Sequence, residues 1–379
     1  LYKKDIVLFQ DKFRNFFMYR FILLLVLGNI TQIISTAALI PLQEKKTLYA
    51  ALATTTLPQN LLAKIAQYIG YYTIQLLDYA DQLQHNARQP LKAIAFSPDG
   101  QTFITGGDDN NAYIWNLQKE QVICTLRGHA RFVTSVSWSP DGRFVATGGA
   151  DHFARIWNVA TRSILNSQEY TSTVTSVSFN PCNDYEIAES NGDGDAYVIR
   201  WQEKKIESKF TSNTSWINST CFNSAGTHVT ITNAAGKIYI WNLMNNEVTT
   251  LKGHTGQVSS ACFSRDGTLL ASSSWDRTAR IWNTATGAMR SILRGHLEHI
   301  NVVLFHPINN NLVTTIGQQD KKICIWDISK ERPVRFSTSK FDSWPAKAAA
   351  FSPDGTTLVT AHWDGMVGIC KPSLFDNED

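Results

Sequence analysis

Charge is sparse in this chain and carries little bias. Its 379 residues hold 18% charged side chains and a formal net charge of +3. A nucleic-acid surface needs a basic stripe or patch, and the densest basic pairs here, Lys204-Lys205 and Lys321-Lys322, stand isolated with no interleaved aromatics. Nucleic acid is therefore not an expected partner. Cysteine is also sparse: Cys124, Cys182, Cys221, Cys262, Cys324 and Cys370 form no Cys-x-x-Cys pair, so the spacing of a structural zinc site is missing. They read as small core residues, and free buried thiols suit a reducing compartment. His296-x-x-His299 with nearby His306 has zinc-like spacing and Asn191 to Asp195 looks like part of a calcium loop, but the latter lacks the downstream Glu. The structural reading is preferred for both, and neither a metal nor a cofactor is expected.

Long apolar runs are confined to one place. Residues 21–40 carry no charge. The chain begins with Leu1 and its first Met is Met18, so translation could start there, leaving residues 1–17 outside the native product. Met18-Tyr19-Arg20 would then be a short n-region, Phe21 to Leu27 the apolar core, and Ser35-Thr36-Ala37 a small-residue cleavage site. Residues 1–40 are accordingly expected to be a signal peptide or membrane anchor, which implies export or anchoring and membrane contact through this segment if it stays uncleaved. A buried amphipathic helix in a cytoplasmic protein is the alternative.

What the chain does contain is a repeat. An aromatic residue recurs at Phe96, Trp138, Phe179, Phe222, Phe263, Phe305 and Phe351, in steps of 42, 41, 43, 41, 42 and 46 residues. Trp115, Trp157, Trp201, Trp241, Trp282 and Trp326 follow in step, with Cys370 in the seventh place. A period of about 40 to 45 residues closed by Trp is the mark of a propeller blade. Within a repeat, Val133 to Trp138 reads as one strand, Pro140-Asp141-Gly142 as its turn, Phe144 to Thr147 as the return and Ala154 to Trp157 as the next strand. Pro-Asp-Gly at 98–100, 140–142 and 353–355 suits a hairpin loop needing one left-handed residue.

Gly-His stands nine residues ahead of the aromatic at Gly128-His129, Gly253-His254 and Gly295-His296, and Trp326-Asp327 ends one repeat. On these motifs residues 80–372 resemble the WD-repeat family, which implies an all-β, seven-bladed β-propeller, with a tail at 373–379. Tyr170, Asn213 and Asp342 replace His in three repeats. The resemblance implies a buried hydrogen-bonded tetrad of His, Ser or Thr, turn Asp and Trp. By position these are His129-Thr147-Asp151-Trp157, His254-Ser272-Asp276-Trp282 and, one residue out of register, His296-Thr315-Asp320-Trp326. The turn Asp is expected at Asp109, Asp151, Asp195, Asp276, Asp320 and Asp364. Ser, His and Asp are also the ingredients of a hydrolase triad, but an enzyme needs one site, whereas these recur as equivalent copies; no catalytic residue is assigned. The family pattern further implies that a strand near Ala80 to His85 closes the last blade against Met366 to Lys371.

Ahead of the repeats, residues 41–79 are expected to be helical. Pro58 opens a helix whose Leu61, Leu62, Ile65, Tyr68 and Ile69 share a face and which Gly70 can end. Residues 57–70 resemble the opening helix of an F-box, implying contact with ubiquitin-ligase components; a helix packed on the propeller is the other reading.

In WD propellers the face bearing the loops into the inner strand commonly contacts partners. This resemblance places Phe132, Trp216, Trp275, His299, Lys347 and Trp363 on that face as partner-binding residues, the aromatics being typical interface anchors. The expected function is a non-catalytic scaffold for a protein or peptide. An F-box-like substrate adaptor is one alternative; a secreted propeller enzyme or glycan-binding protein is another. The last would want two placed carboxylates, and the residues expected to point inward, Ser137, Ser178, Thr220 and Ala261, are small and neutral.

Overall fold

The computed structural model describes residues 89–370, apart from 213–215, 321, 331–333 and 341–344. The apolar segment 1–40, the F-box-like helix 57–70, the closing strand expected near Ala80 to His85 and the tail lie outside the described residues, as do Asn213 and Asp342.

Among the described residues twenty-seven strands, β1 to β27 in chain order, form seven antiparallel sheets of consecutive strands. Six sheets have four strands, and the seventh shows three among the described residues. The inner strands are β1 (Leu91–Phe96), β5 (Val133–Trp138), β9 (Val174–Asn180), β13 (Ile217–Phe222), β17 (Val258–Phe263), β21 (Ile300–Phe305) and β25 (Ala346–Phe351). Each packs on the next and β25 returns to β1, so the seven sheets are the blades of a closed propeller. No helix occurs among the described residues.

Alternation puts one row of apolar side chains on each sheet face, and neighbouring blades bury those faces together. Ile104, Ile114 and Leu126 of blade 1 join Val133, Val145 and Trp157 of blade 2 in one cluster. Phe103 and Trp115 of blade 1 likewise join Val359, Val367 and Ile369 of blade 7, so the first and last blades share a core. The hairpins follow local chemistry. Gly100, Gly142 and Gly355 adopt φ of +68°, +73° and +72°, a conformation that costs glycine little.

Every inner strand breaks its register between its first and third residues, and the β9 pairing shifts a second time between Asn183 and Ile187. The extra residue is Lys92, Thr134, Thr175, Asn218, Ser259, Asn301 or Lys347. Such a bulge re-aims one side chain, and here all seven line a single central cavity of about 460 Å³.

Candidate functional site

Three tetrads tie the loops ahead of the inner strands to their turn Asp residues. His129 Nδ1 lies 2.9 Å from Asp151 and its Nε2 lies 2.7 Å from Thr147 Oγ1, to which Trp157 Nε1 donates at 2.8 Å. In blade 5 the distances from His254 to Asp276 and Ser272 are 2.8 and 2.9 Å, with Trp282 donating to Ser272 at 2.8 Å. Blade 6 repeats this with His296 at 2.9 Å from Asp320 and 2.8 Å from Thr315, and Trp326 at 2.8 Å from Thr315. In blades 5 and 6 one proton assignment satisfies the chain: Nδ1–H donates to the carboxylate, the hydroxyl donates to Nε2, and the hydroxyl oxygen accepts from indole; in blade 2 the Arg155 guanidinium also lies 2.6 Å from His129 Nδ1. Thr147, Ser272 and Thr315 are each 0% exposed, so these hydroxyls are sealed from any substrate. Burial would raise the Asp276 carboxyl, but hydrogen bonds from His254 and Thr278 outweigh it and hold the group well below the usual carboxylate range.

Blade 3 departs from the expectation. Its tight turn is built on Asn191, Gly192, Asp193 and Gly194, with Gly194 at φ +90° donating to the Asn191 carbonyl. Asp193, not Asp195, thus holds the turn place, and Ile199, not Trp201, stands where Trp157 stands in blade 2. Asp195 opens β11 (Asp195–Arg200) and pairs with Lys209 at 3.0 Å. Trp201 lies two residues further on, edge-on to Phe144 at 5.1 Å, and donates to the Asp184 carbonyl. Tyr170 takes the His place and donates to Glu189, which replaces the tetrad hydroxyl and is 1% exposed. Burial pushes the Glu189 carboxyl up to about 7 despite the opposing hydrogen bond from Tyr170. The Asp193-Gly194 pair was the signal for this register; the Trp was the stronger lure.

On the loop face, one backbone hydrogen bond recurs in all seven blades. The residue just ahead of the inner strand, namely Pro90, Phe132, Thr173, Trp216, Gln257, His299 or Pro345, accepts from the amide that precedes the turn. In blade 6 that donor is Gln318, not Gln319, because the loop is one residue longer. This bond holds the rim side chains at equivalent places, and four aromatics there lie across blade seams. Lys92 Nζ sits 4.7 Å from the Phe132 ring centre and 5.5 Å from that of Trp363. Trp275 stacks on His299 at 4.8 Å. Trp216 packs so closely on Gly192 that a Cβ there would fall 2.7 Å from its ring. Each keeps a free side as well: Phe132, Trp216 and Trp275 are 38, 45 and 40% exposed.

Phe132, Trp216, Trp275 and Lys347 line the central cavity, whereas His299 and Trp363 stand outside that lining. Ser137, Ser178, Thr220 and Ala261 are not part of it either. The second and third residues of the inner strands, such as Thr134, Ser135, Ser259 and Ser260, take that place. Ser137 and Ser178 each lie two residues beyond a lining residue, Ser135 and Ser176, and the lining stops short of them. Among the described residues no cluster of His, Cys, Asp and Glu could hold a metal ion.

Comparison with known proteins bears on the same region. A family model described as the IFT122 first beta-propeller matches residues 90–367. The transcriptional corepressor LEUNIG_HOMOLOG of Arabidopsis thaliana is 26% identical over 293 residues, covering 73% of this chain and 34% of that protein. The small ribosomal subunit protein RACK1 of Caenorhabditis elegans is 27% identical over 172 residues, 42% of this chain and 52% of the relative. The nuclear distribution protein PAC1 of Candida tropicalis is 37% identical over 100 residues, 25% of this chain and 20% of that one. The matched stretches therefore span about half or less of these relatives. With its seven blades, recurring Gly-His and closing Trp, the chain belongs to the WD-repeat β-propellers, in the family described as the IFT122 first beta-propeller.

Proposed function

We propose that this propeller is a non-catalytic scaffold that binds a protein or peptide at the loop face. The observation that carries this reading is the set of half-exposed aromatics around the mouth of the central cavity, Phe132, Trp216 and Trp275. Large aromatics held rigidly with one face free bury much area on binding at little entropic cost. Membership of the WD-repeat propellers supports the same reading. The sealed tetrad hydroxyls speak against using the repeated Ser/Thr, His and Asp as hydrolytic groups. His299, Lys347 and Trp363 complete the proposed surface.

The test is affinity capture from native cells with the full chain and with a Trp216→Ala, Trp275→Ala, Trp363→Ala variant, read by mass spectrometry. The variant is expected to lose a specific partner while its melting temperature falls less than that of a single core truncation. Identical captured sets would sink the reading. Ubiquitin-ligase components retained by both proteins would instead favour the adaptor reading of residues 57–70.

A further inference from the structure

The bulged ring is nearly self-satisfied, and the exception is informative. Thr134, Asn218, Ser259 and Asn301 each donate to the first carbonyl of the next inner strand, those of Val174, Val258, Ile300 and Ala346. Thr175 bonds Ser190 of its own blade. The two remaining members are the lysines, on adjacent strands β1 and β25. Lys92 pairs with Asp108 at 3.0 Å and lies under the Phe132 and Trp363 rings. Lys347 has no hydrogen-bond or ion-pair partner among the described residues. Burial, then the like charge of Lys92, draws its pKa below the usual lysine value.

Among the described residues Lys92 and Lys347 are the only charged side chains in the cavity lining; Asp108, which pairs with Lys92, is not part of that lining. A partly desolvated ammonium beside a second cation, with no partner for its donors among the described residues, is complementary to an anion. The cavity volume of about 460 Å³ suits one or two side chains rather than a folded domain. Phe132, Trp216 and Trp275 at its mouth supply apolar contact on either side of the entry.

We infer that the cavity takes an Asp or Glu side chain of an extended peptide, its carboxylate seated on Lys347 next to Lys92 and its neighbouring apolar residues lying against the aromatic mouth. The inference rests on the loop face being a peptide-binding surface. Its ligand preference is a separate matter, and the experiment separates the two.

A phage-displayed random heptapeptide library is selected on the immobilised full chain and on Lys347→Met and Lys347→Arg variants. Wild type and Lys347→Arg are expected to enrich an acidic residue at one position among apolar neighbours, and Lys347→Met to lose that preference. In the selected peptide, Glu→Gln should weaken binding to the wild type about tenfold or more, since a hydrogen bond between charged groups is lost. This arm needs no protein variant and stands if Lys347→Met fails to fold. Peptides enriched without acidic residues, or an acidic preference that survives in folded Lys347→Met, would overturn the inference and leave the scaffold reading intact. No enrichment on wild type would overturn both. A phosphoserine version binding over tenfold more tightly than the Glu peptide would move the assignment from carboxylate to phosphate and overturn it as stated.

Discussion

Blades 2 and 3 are neighbours built on the same strand pattern, yet their polar cores are opposites. Blade 2 fastens its outer loop with His129, Thr147, Asp151 and Trp157, each satisfied by the next. Blade 3 fills the same places with Tyr170, Glu189, Asp193 and Ile199, and only Tyr170 and Glu189 bond each other. The loop hydrogen bond is unaffected: Ala150 donates to Phe132 in one blade and Gly192 to Thr173 in the other. Backbone pairing and the left-handed turn residue therefore shape the blade, while the tetrad adds stability to a loop already formed.

The largest difference between the two blades should come from their matching core positions. Trp157→Ala is expected to cost about 3 to 5 kcal/mol as a large core truncation, and Ile199→Ala about 2 to 3. Urea unfolding measures both, and a greater cost at Ile199 would contradict its role as the smaller, unbonded counterpart. Next comes Asp151→Asn, expected to cost about 1 to 3 kcal/mol by weakening a buried network. Burial alone would raise the Asp151 carboxyl, but bonds from His129 and the Ala130 amide hold it below the usual value. Its stabilisation is therefore present above an ordinary carboxyl pKa and is lost as pH falls through the depressed one; the variant should show a shallower acid limb.

Glu189 should behave the other way. Its carboxyl is raised to about 7 in the fold, so its contribution is complete below the ordinary glutamate value and is lost as pH rises through 7. Glu189→Gln keeps an acceptor for Tyr170 and should remove this loss, gaining about 2 to 3 kcal/mol relative to wild type between pH 5 and 8. Melting curves across that range decide it; parallel curves would mean the carboxyl does not titrate there. The smallest effect is expected at Asp193→Asn, within about 0.5 kcal/mol, because Asp193 is exposed and its carboxylate bonds only the exposed Thr171 among the described residues. A cost matching Asp151→Asn would erase the contrast.

The blade count was legible because each repeat carries its own inner-strand aromatic and turn, and five of the seven close on a Trp in register. The members of the three tetrads were legible as residues at fixed spacing, and the structure brings each set within hydrogen-bonding distance. Blade 3 was misread because Trp201 mimics the closing Trp from two residues away, where it packs on Phe144. The cavity lining was misread for a different reason. Alternation does not say how far along an inner strand the cavity reaches, and its lining stops before Ser137 and Ser178.

By itself the sequence determined the all-β class, the seven blades and the hairpin turns, since alternation, glycine conformation and repeat length are local properties. Only the tertiary structure decided which side chains face the cavity, which aromatics bridge seams and which lysine has no partner among the described residues. Those depend on contacts between strands some 40 residues apart, such as Thr134 with Val174 or Asn218 with Val258. Such contacts exist only once neighbouring blades have packed.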